Sequence, residues 1–322
     1  MVRMRRTFMK VKRGHRNIER LAVVLMAAGI LGLIIRLTVK DRWSIVAPVF
    51  YGLPPLVVVV ALALSTGLFA LRKRKKLGVG AFAGVIVSIV VWIQTDYVHV
   101  TPRDRTGEGF TIVFWNIGPP VKPKDTFVPI LRQTNGQIIV LAESGRSDKK
   151  ARLFWTSHFP GYNVSLLGGG LTLLSQYPIT NASMHNMGRW SRVGVYDLDA
   201  PFGMISIVAP DIISNPLVSR KPYIDRTYEI ATSRPYPTIV LGDFNTPHTS
   251  VLFADFRRTY RDAFEAAGRG LITTWPAPLP VLALDHIWLS GYFIPLRTRL
   301  HRTFRSDHAL VMADVQIREV RK

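Results

Sequence analysis

Three long apolar runs in the first third of the chain restrict its fold more than any other feature. Residues 21–39 are apolar apart from Arg36 near the end of the run, and residues 53–71 and 77–93 carry no charge. About twenty apolar helical residues span a hydrocarbon core of roughly 30 Å. A buried helical core is the alternative, but helices of soluble domains keep a polar stripe that these runs lack. We therefore predict an all-α transmembrane region at 21–95, with three helices at about 21–39, 53–71 and 77–94.

Basic residues flank these runs and predict their orientation. Residues 1–20 carry eight Lys or Arg against one acid, Glu19, and the link between the second and third runs reads Arg72-Lys73-Arg74-Lys75-Lys76. Basic flanks stay in the cytoplasm, so 1–20 is a basic cytoplasmic N-terminus. A cleavable signal peptide is the competing interpretation, but the first run is longer than a usual signal and no small-x-small site follows it. We expect a multi-pass protein of the cell membrane whose C-terminal part is extracytoplasmic.

The rest of the chain is long enough for one sizeable core. Residues 101–109 are polar and contain Pro and Gly, so we assign 96–109 as a linker and 110–322 as a second domain. The net charge is +21; residues 1–100 hold 16 Lys+Arg and 3 Asp+Glu, and residues 101–322 hold 26 and 18. The remaining excess of +8 favours an anionic substrate, either a nucleic acid backbone or a lipid head group. The absence of cysteine excludes disulfides and thiolate metal sites.

Short polar strings follow apolar runs at five points of this second domain. The most specific is Gly242-Asp243-Phe244-Asn245, directly after the apolar run 238–241. Because strand side chains alternate, Asp243 and Asn245 are expected to point the same way. The other four strings are Trp115-Asn116, Glu143-Ser144, Asp285-His286 and Ser306-Asp307-His308. We predict that strand ends bring all five together in one pocket.

Carboxylates, amides and histidines at strand ends describe a site for a hard divalent cation and a phosphoester. Mg²⁺ prefers oxygen ligands and is usually held by one or two carboxylates together with substrate phosphate. Glu143 and Asp307 are suitable ligands of this kind. Each residue alone is more often a cap or a surface group, but the order and spacing of the strings together favour the site.

These strings resemble the endonuclease/exonuclease/phosphatase superfamily, which includes pancreatic DNase, abasic-site endonucleases, neutral sphingomyelinases and inositol polyphosphate 5-phosphatases. The resemblance extends from about Phe110 to Val315 and includes Gly170 to Ile179, with the Gly-Asp-Phe-Asn and Ser-Asp-His strings as its most specific parts. Together with the apolar runs, it makes the chain similar to a membrane-anchored bacterial-type member.

The resemblance implies a fold class and a metal site. The fold is α/β, a four-layer α/β sandwich of the DNase-like type, preceded here by the three transmembrane helices. Its active site lies at one end of two packed sheets. Glu143 would bind Mg²⁺ or Mn²⁺, with Asn116 and Asp307 near it.

The resemblance also implies catalytic roles. Asp243 would orient or deprotonate the attacking water, and Asn245 would hydrogen-bond a phosphate oxygen. His308, oriented by Asp285, would stabilise the charge that develops on phosphorus. Fixed donors at that position are usually the largest catalytic contribution.

One position departs from the family pattern. Many members carry a His after the strand that is predicted here from Met204 to Val208, whereas this chain continues with Ala209-Pro210-Asp211. In the nuclease branch that His is tied to leaving-group protonation. The general acid is therefore open, with Asp211, His185 and His248 as candidates.

We expect a membrane-anchored, extracytoplasmic, metal-dependent phosphoesterase, either a phosphodiesterase or a nuclease. A phospholipid or sphingolipid phosphodiesterase is one alternative, because a tethered domain meets such substrates in the bilayer. A non-catalytic binding module is another, because of Ala209. Arg189-Trp190-Ser191-Arg192 and Trp275-Pro276 place aromatics where a base could stack or a head group could rest. No protein partner is predicted.

Overall fold

The computed structural model describes residues 2–104, 106–118 and 124–318, with side chains from residue 16 onward. The chain divides into two units, a helical unit at Met1–Asp96 and an α/β unit at Tyr97–Lys322. The predicted basic N-terminus at 1–20 falls mostly outside the described side chains, which begin at Arg16.

Four helices form the first unit, and small residues let them approach closely. They are α1 (Val2–Leu37), α2 (Ala47–Gly52), α3 (Pro55–Leu71) and α4 (Lys75–Asp96). Gly29 of α1 lies against α3, where an added Cβ would come within 2.5 Å of Leu62 Cγ. Ser65 of α3 donates a hydrogen bond of 2.8 Å to the carbonyl oxygen of Ala22. Small residues and hydroxyl hydrogen bonds of this kind are typical of helices that pack in a bilayer.

Among the described residues, two helices of this unit are long and apolar enough to cross a membrane, α1 over Arg16–Leu37 and α4 over Lys75–Asp96. The helix α3 is apolar but shorter, at 17 residues, which is the lower end of the spanning range of about 17–25 residues. The charge within the first apolar run is satisfied locally, because Arg36 donates to the carbonyl oxygens of Leu53 at 2.9 Å and Phe50 at 2.7 Å. The predicted membrane runs therefore all form helices, two of them of full spanning length.

Strands β1–β14 and helices α5–α9 build the second unit. The strands are β1 (Tyr97–His99), β2 (Gly109–Asn116), β3 (Ile138–Ala142), β4 (Asn163–Leu167), β5 (Leu171–Ser175), β6 (Ile179–Gly188), β7 (Ser191–Ala200), β8 (Gly203–Asp211), β9 (Thr238–Asp243), β10 (Arg261–Asp262), β11 (Arg269–Leu271), β12 (Asp285–Leu289), β13 (Phe293–His301) and β14 (Leu310–Ile317). The helices are α5 (Val128–Gln133), α6 (Lys149–His158), α7 (Lys221–Thr232), α8 (Ala254–Thr259) and α9 (Ala263–Ala267).

Two six-stranded sheets form the centre of this unit. Their strand orders are β10-β12-β9-β8-β7-β6 and β13-β14-β2-β3-β5-β4. The pairs β2–β3 and β8–β9 are parallel, and the other pairs of these sheets are antiparallel. The segment predicted as a linker contains β1, which pairs with β11, while Val98 packs against a small cluster with Phe264 and Ile272. Part of that segment is therefore held to the α/β unit.

Alternation of side chains along each strand produces the layers. On β2, Phe110, Ile112 and Phe114 face the core between the two sheets, and Val113 and Trp115 face the outer cluster that includes α5 and α6. The other sheet likewise packs its outer face on α7 and α8. Because both faces of each sheet are covered, the central strands are near-continuous apolar runs. The architecture is the predicted four-layer α/β sandwich.

Replacing Gly242 with alanine is expected to destabilise the sandwich. Gly242 lies near the end of β9, and an added Cβ would come within 2.1 Å of the Pro210 carbonyl oxygen on β8. Neither backbone can move away without breaking the parallel pairing of these strands, and overpacking of this kind costs about 1–3 kcal/mol. The thermal midpoint of the full chain in detergent, followed by circular dichroism, should fall by about 2–4 °C for each kcal/mol.

Gly291→Ala is the matched control for that prediction. No atom lies within 4 Å of a Cβ added at Gly291, so its melting curve should coincide with that of the wild type. Equal midpoints for the two variants would show that β8 and β9 are not packed as described.

Candidate active site

The polar strings meet at one edge of the two sheets. In the parallel pairs, Asn116 at the end of β2 aligns with Ala142 at the end of β3, and Asp211 aligns with Asp243 at the ends of β8 and β9. Asp285 on β12 lies opposite Asp243. We call this end of the sheets the active-site edge; it contains Asn116, Glu143, Asp211, Asp243 and Asp285.

Two of the predicted strand ends are instead strand beginnings. Asp285 is the first residue of β12, and Ser306-Asp307-His308 precedes β14. Both strands run antiparallel to their neighbours, β12 to β9 and β14 to β2. Their N-terminal ends therefore lie at the same edge as the C-terminal ends of β2 and β9, and the predicted meeting of these residues still takes place.

His308 lies between two carboxylates. Its Nδ1 donates to Asp285, at 2.9 Å to Oδ2 and 3.1 Å to Oδ1, and its Nε2 lies 3.8 Å from Asp243 Oδ2. The three side chains are almost completely buried. A carboxylate on Nδ1 fixes the orientation of the ring, so the Nε2 proton is directed toward the Asp243 side of the site.

Burial and charge shift the pKa values of this group. Burial raises the pKa of Asp243 to about 7, with Asp285 adding to the increase and His308 opposing it. Burial by itself lowers the pKa of His308, but the charges of Asp285 and Asp243 outweigh that effect and raise it to about 10. Near neutral pH the edge therefore holds an imidazolium next to a carboxyl group that can accept a proton.

Asn116 connects the two sheets at this edge. Its Nδ2 donates to Glu143 Oε1 at 3.1 Å and to Asp243 Oδ2 at 3.0 Å, and its Oδ1 accepts from the backbone N–H of Gly118 at 2.9 Å. Its backbone carbonyl accepts from Ser306 Oγ at 2.7 Å. Asn116 therefore holds two carboxylates in place through its amide N–H groups.

Glu143 and Asp307 are the two carboxylates among the three predicted metal ligands. Glu143 has a φ of 51°, a left-handed conformation that is uncommon outside glycine and that often marks functional positions. Asp307 accepts from Trp275 Nε1 at 3.1 Å, and a Cβ added at Gly118 would lie 3.3 Å from its Oδ1. Asn116 therefore contacts Glu143 directly, whereas Asp307 lies in the loop before β14, next to Trp275 and Gly118.

Asn245 also has a left-handed backbone, with a φ of 48°. Its backbone N–H donates to Asp243 Oδ1 at 2.8 Å, and its Nδ2 donates to the Ile212 carbonyl at 2.7 Å. One N–H of the side-chain amide therefore holds the loop after β8. Asn245 also lines the cleft described below.

The position of the missing His is apolar and buried. Ala209 belongs to the core between the sheets, and Asp211, two residues further along β8, lies at the end of the same strand face. Burial, together with the neighbouring Asp243, raises the pKa of Asp211 to about 7, although Arg192 opposes the shift from 3.3 Å. His185 is exposed on β6 opposite Val193. Of the candidate acids, Asp211 is the one that aligns with Asp243 at the active-site edge; His248 is buried in the loop after β9.

A cleft of about 640 Å³ opens next to this edge. Its lining includes Glu143, Asp211, Asn245, Arg192 and Trp190, and Trp190 is exposed. Arg192 donates to the carbonyl oxygens of Gly169 and Trp190, so its guanidinium ties the Gly168–Gly170 turn to the β6–β7 hairpin. The cleft can accommodate a substrate that extends from the carboxylate of Asp211 to Arg192 and Trp190.

Among the described residues, one group of three side chains has possible ligand atoms within 4.8 Å of one another, Asp243, Asp285 and His308. Nδ1 of His308 already donates to Asp285, and the charges of Asp285 and Asp243 raise the pKa of His308 to about 10 despite its burial. The three side chains therefore also have the contacts of an acid–base group. Glu143 lines the cleft and Asp307 is exposed, and their carboxylate oxygens are the donors that a hard cation prefers.

Some supporting contacts had no signal in the sequence. The Arg192–Asp211 pair joins neighbouring strands, and Thr274 Oγ1 accepts from the backbone N–H groups of Leu284 and Asp285 at 3.0 and 3.3 Å. In the sequence, Ser306 is simply one member of the Ser306-Asp307-His308 string. In the structure, its hydroxyl links Asn116 to the backbone N–H of His308. Only strand order and loop packing reveal these positions.

Comparisons with solved structures show the same fold. The catalytic domain of human Nocturnin with bound sulfate is 17% identical, with a TM-score of 0.52 over 70% of this chain and 98% of that chain. D. rerio TDP2 complexed with single-strand DNA product is 11% identical, with a TM-score of 0.52 over 65% and 99%. A mannosyl-6-phosphatase of Bacteroides thetaiotaomicron is 15% identical, with a TM-score of 0.50 over 65% and 100%. At these identities the similarity establishes the fold alone.

A comparison with curated protein sequences gives no match. The sequence model of the endonuclease/exonuclease/phosphatase family matches residues 90–308. That range covers more than half of the chain and contains every string that meets at the active-site edge. The chain belongs to the endonuclease/exonuclease/phosphatase family.

Proposed function

We propose that this protein is a membrane-anchored hydrolase that cleaves a phosphoester with divalent-metal-assisted attack of water. The observation that carries the proposal is the group Asp285–His308–Asp243, buried side by side at the edge where the two sheets meet. An apolar residue would fill the same space at a lower cost in free energy than a buried imidazolium between carboxylates. Packing alone therefore does not explain this group. Family members that bind or act on DNA or sugar phosphates by their names share this fold.

Asp243 is the proposed base. Its Oδ2 accepts from Asn116 and faces His308 Nε2, while its Oδ1 accepts from the backbone N–H of Asn245. These contacts fix the carboxylate, and burial raises its pKa toward neutrality. A base fixed in this way can take a proton from water near pH 7.

His308 is the proposed donor to the phosphoryl group. Asp285 holds its ring. The pKa of His308 is raised to about 10, so the imidazole stays charged near neutral pH. A cation fixed in a buried site stabilises negative charge on a phosphoryl oxygen without a reorganisation cost. Asn245 is proposed to add a second contact to phosphate from the wall of the cleft.

Glu143 and Asp307 are proposed to hold Mg²⁺ or Mn²⁺, with Asn116 beside them. The donor chemistry fits, because both are carboxylates and neither is engaged with a basic side chain among the described ion pairs. Burial raises the pKa values of Asp211 and Asp243, and neighbouring carboxylates add to the increase. Such a group of buried carboxylates also calls for a compensating cation. When bound, such an ion supplies Lewis acidity and a template for the phosphate.

The anchoring and orientation are also proposed. The helices α1 and α4 have the length and composition of membrane spans, and α3 is proposed as a third. With the basic flanks in the cytoplasm, three crossings place the α/β unit outside it. A reporter enzyme fused to the C-terminus tests this topology, and activity of a cytoplasm-specific reporter there would contradict it.

The function is tested with the full chain in nanodiscs. Hydrolysis of single-stranded DNA, duplex DNA, phospholipid and a phosphomonoester is measured after dialysis against EDTA and after return of Mg²⁺ or Mn²⁺. Metal-dependent release of product from at least one substrate is expected. A folded chain that binds the metal but hydrolyses none of them would favour a non-catalytic binding module.

Hydrolysis is expected to show a bell-shaped pH profile with its maximum near pH 7. The acid limb arises because Asp243 must be ionised and its pKa is raised to about 7. The alkaline limb arises because Asp211, the proposed acid for the leaving group, must be protonated and its pKa is also raised to about 7. The logarithm of kcat/KM should change by about one per pH unit on each limb.

Asp211→Asn separates the two limbs. This variant should lose the alkaline limb and rise to a plateau that persists toward pH 10, where His308 loses its proton. Its rate should fall more on an alkyl phosphodiester than on a p-nitrophenyl ester, because a nitrophenolate leaves without protonation. An unchanged alkaline limb in this variant would exclude Asp211 as the acid.

A further inference from the structure

Large apolar side chains project from the loops of the active-site edge. Among the described residues of the α/β unit, the four most exposed large hydrophobic side chains are Trp190 at 84%, Phe304 at 81%, Leu279 at 77% and Leu217 at 76%. They come from four different loops. A scattered exposed apolar residue needs no explanation, but a set that shares one edge does.

Trp190 and Leu217 lie on the side of the edge that contains Asp211. Trp190 is at the tip of the β6–β7 hairpin and lines the cleft, where its carbonyl accepts from Arg192 at 2.8 Å. Leu217 is in the loop after β8, three residues beyond Ser214 in the cleft wall, and its backbone N–H donates to Asn215 Oδ1.

Leu279 and Phe304 lie on the side that contains Asp307. Leu279 is flanked by Pro278 and Pro280 in the loop before β12, and that loop is held to Asp307 by the backbone N–H of Ala277 at 2.7 Å. Phe304 is two residues before Ser306, which contacts Asn116. The four side chains therefore surround the catalytic group.

The opposite end of the sheets is built differently. In the β7–β8 turn, Phe202 is folded back on the core, where it stacks on Phe110 with ring centroids 5.3 Å apart. Tyr177 and Tyr292, in the other turns of that end, are also partly buried against the core. Among the described residues, the large hydrophobic side chains in the turns of that end lie inward, so outward projection is a property of the active-site edge.

The tip of the hairpin that carries Trp190 has an unfavourable backbone conformation. Arg189 and Trp190 form its two-residue turn and have φ values of 47° and 68°. Turns with both residues in the left-handed region prefer Asn-Gly, because a side chain there is strained. A bulky aromatic at such a position, with its ring in solvent, indicates that the exposed ring is useful.

Basic residues alternate with the apolar tips. Arg189 precedes Trp190, Arg305 follows Phe304, and Arg146 lines the cleft; all three are exposed. A rim of aromatic and aliphatic side chains with Arg between them matches the interface of a bilayer, where rings sit at head-group depth. The Arg side chains would meet lipid phosphates.

The chain enters the α/β unit close to the same edge. Tyr97, its first residue, pairs with Leu271 on β11, and Leu271 is two residues before Thr273. Arg302, two residues before Phe304, donates to the carbonyl oxygens of Leu271 and Thr273 at 3.0 and 3.2 Å. Tyr97, at the start of the α/β unit, is therefore attached beside the loops that carry Leu279 and Phe304.

We propose that the active-site edge docks on the bilayer surface and that the substrate is the phosphoester head group of a membrane lipid. This inference rests on the hydrolase function proposed above. A single-stranded nucleic acid would use Trp190 and Phe304 as stacking platforms, but Leu217 and Leu279 offer no ring. All four side chains gain from burial in a lipid interface.

Docking is measured without reference to activity. The chain has no cysteine, so Leu217→Cys, Leu279→Cys and Gly291→Cys each provide one site for an environment-sensitive fluorophore on the full chain. The chains are placed in nanodiscs of anionic and zwitterionic phospholipid with or without brominated acyl chains. The labels at 217 and 279 should be quenched by brominated lipid, whereas the label at 291, at the far end of β12, should not. Equal quenching at the three positions, or none at 217 and 279, would overturn the proposal.

Hydrolysis then tests the substrate class. The double variant Leu217→Ser/Leu279→Ser should cleave bilayer phospholipid at least about tenfold more slowly than the wild type, with its rate on soluble bis(p-nitrophenyl) phosphate unchanged. An equal loss on single-stranded DNA, or no loss on phospholipid, would overturn the lipid assignment. Quenching of the labelled Leu217→Cys and Leu279→Cys chains, together with a wild-type chain that hydrolyses nothing, would instead contradict the proposed hydrolase and leave docking supported.

Discussion

Replacing Asp243 with asparagine is expected to lower kcat for phosphoester hydrolysis by about 10²–10⁴. Asparagine keeps the shape of the side chain and can still accept the hydrogen bond from the Asn245 backbone N–H. It cannot take a proton from water, and its amide would present a donor to Asn116 Nδ2 and His308 Nε2, which now face a carboxylate oxygen. The chemical step is therefore lost while the sandwich is retained.

The measurement is the turnover of the Mg²⁺-loaded full chain on the best substrate. Asp199→Asn is the matched control, because it makes the same chemical change at an exposed position of β7 and should leave kcat within about twofold, as is usual for surface changes. A circular dichroism spectrum identical to that of the wild type establishes folding. Asp243→Asn with near-normal turnover would show that another group activates the water.

Replacing His308 with glutamine is expected to lower kcat by about 10²–10³, the effect of removing one fixed donor from a developing oxyanion. Glutamine can donate a hydrogen bond but carries no charge. Asp243 and Asp285 then face each other without the cation that now lies between them. The defect should be largest in kcat, because the interaction strengthens in the transition state.

The same variant should change the dependence of stability on pH. In the wild type, the pKa of His308 is raised to about 10 in the folded state from a value near 6.5 when unfolded. Its contribution to stability is therefore complete below about pH 6.5 and is lost as the pH rises through about 10. The thermal midpoint of the wild type should decrease across this interval, and that of His308→Gln should decrease less.

His185→Gln is the control for both measurements. His185 is exposed on β6, so its replacement should alter neither kcat nor the pH dependence of melting. If His308→Gln melts with the same pH dependence as the wild type, the imidazole does not carry its charge between Asp243 and Asp285.

Much of the fold could be predicted from local patterns. The apolar runs at 53–71 and 77–94 became α3 and α4, and the run at 21–39 became the second half of α1. The runs before Asn116, Glu143 and Asp243 became β2, β3 and β9. These segments are buried on both sides or form helices in their own right, so their structure depends mainly on their own composition.

The direction of two strands could not be predicted from local composition. Asp285 follows an apolar pair in the sequence but begins β12, and the string ending in His308 precedes β14. Whether a polar residue lies before or after its strand depends on which neighbour the strand pairs with, and that pairing is a long-range property. These residues still lie at the same edge as Asn116 and Asp243, because antiparallel neighbours bring opposite strand ends together.

By itself, the sequence determined the family, the long apolar helices and the candidate residues of the site, because these depend on composition and on short strings whose chemistry is local. Tertiary structure decided which of those residues meet: it placed His308 between Asp285 and Asp243, made Asn116 a bridge between the sheets, and paired Arg192 with Asp211. It also decided that Trp190 and Leu279 project outward whereas Phe202 is folded in. Exposure and proximity are set by the neighbours that packing supplies, and no local pattern contains them.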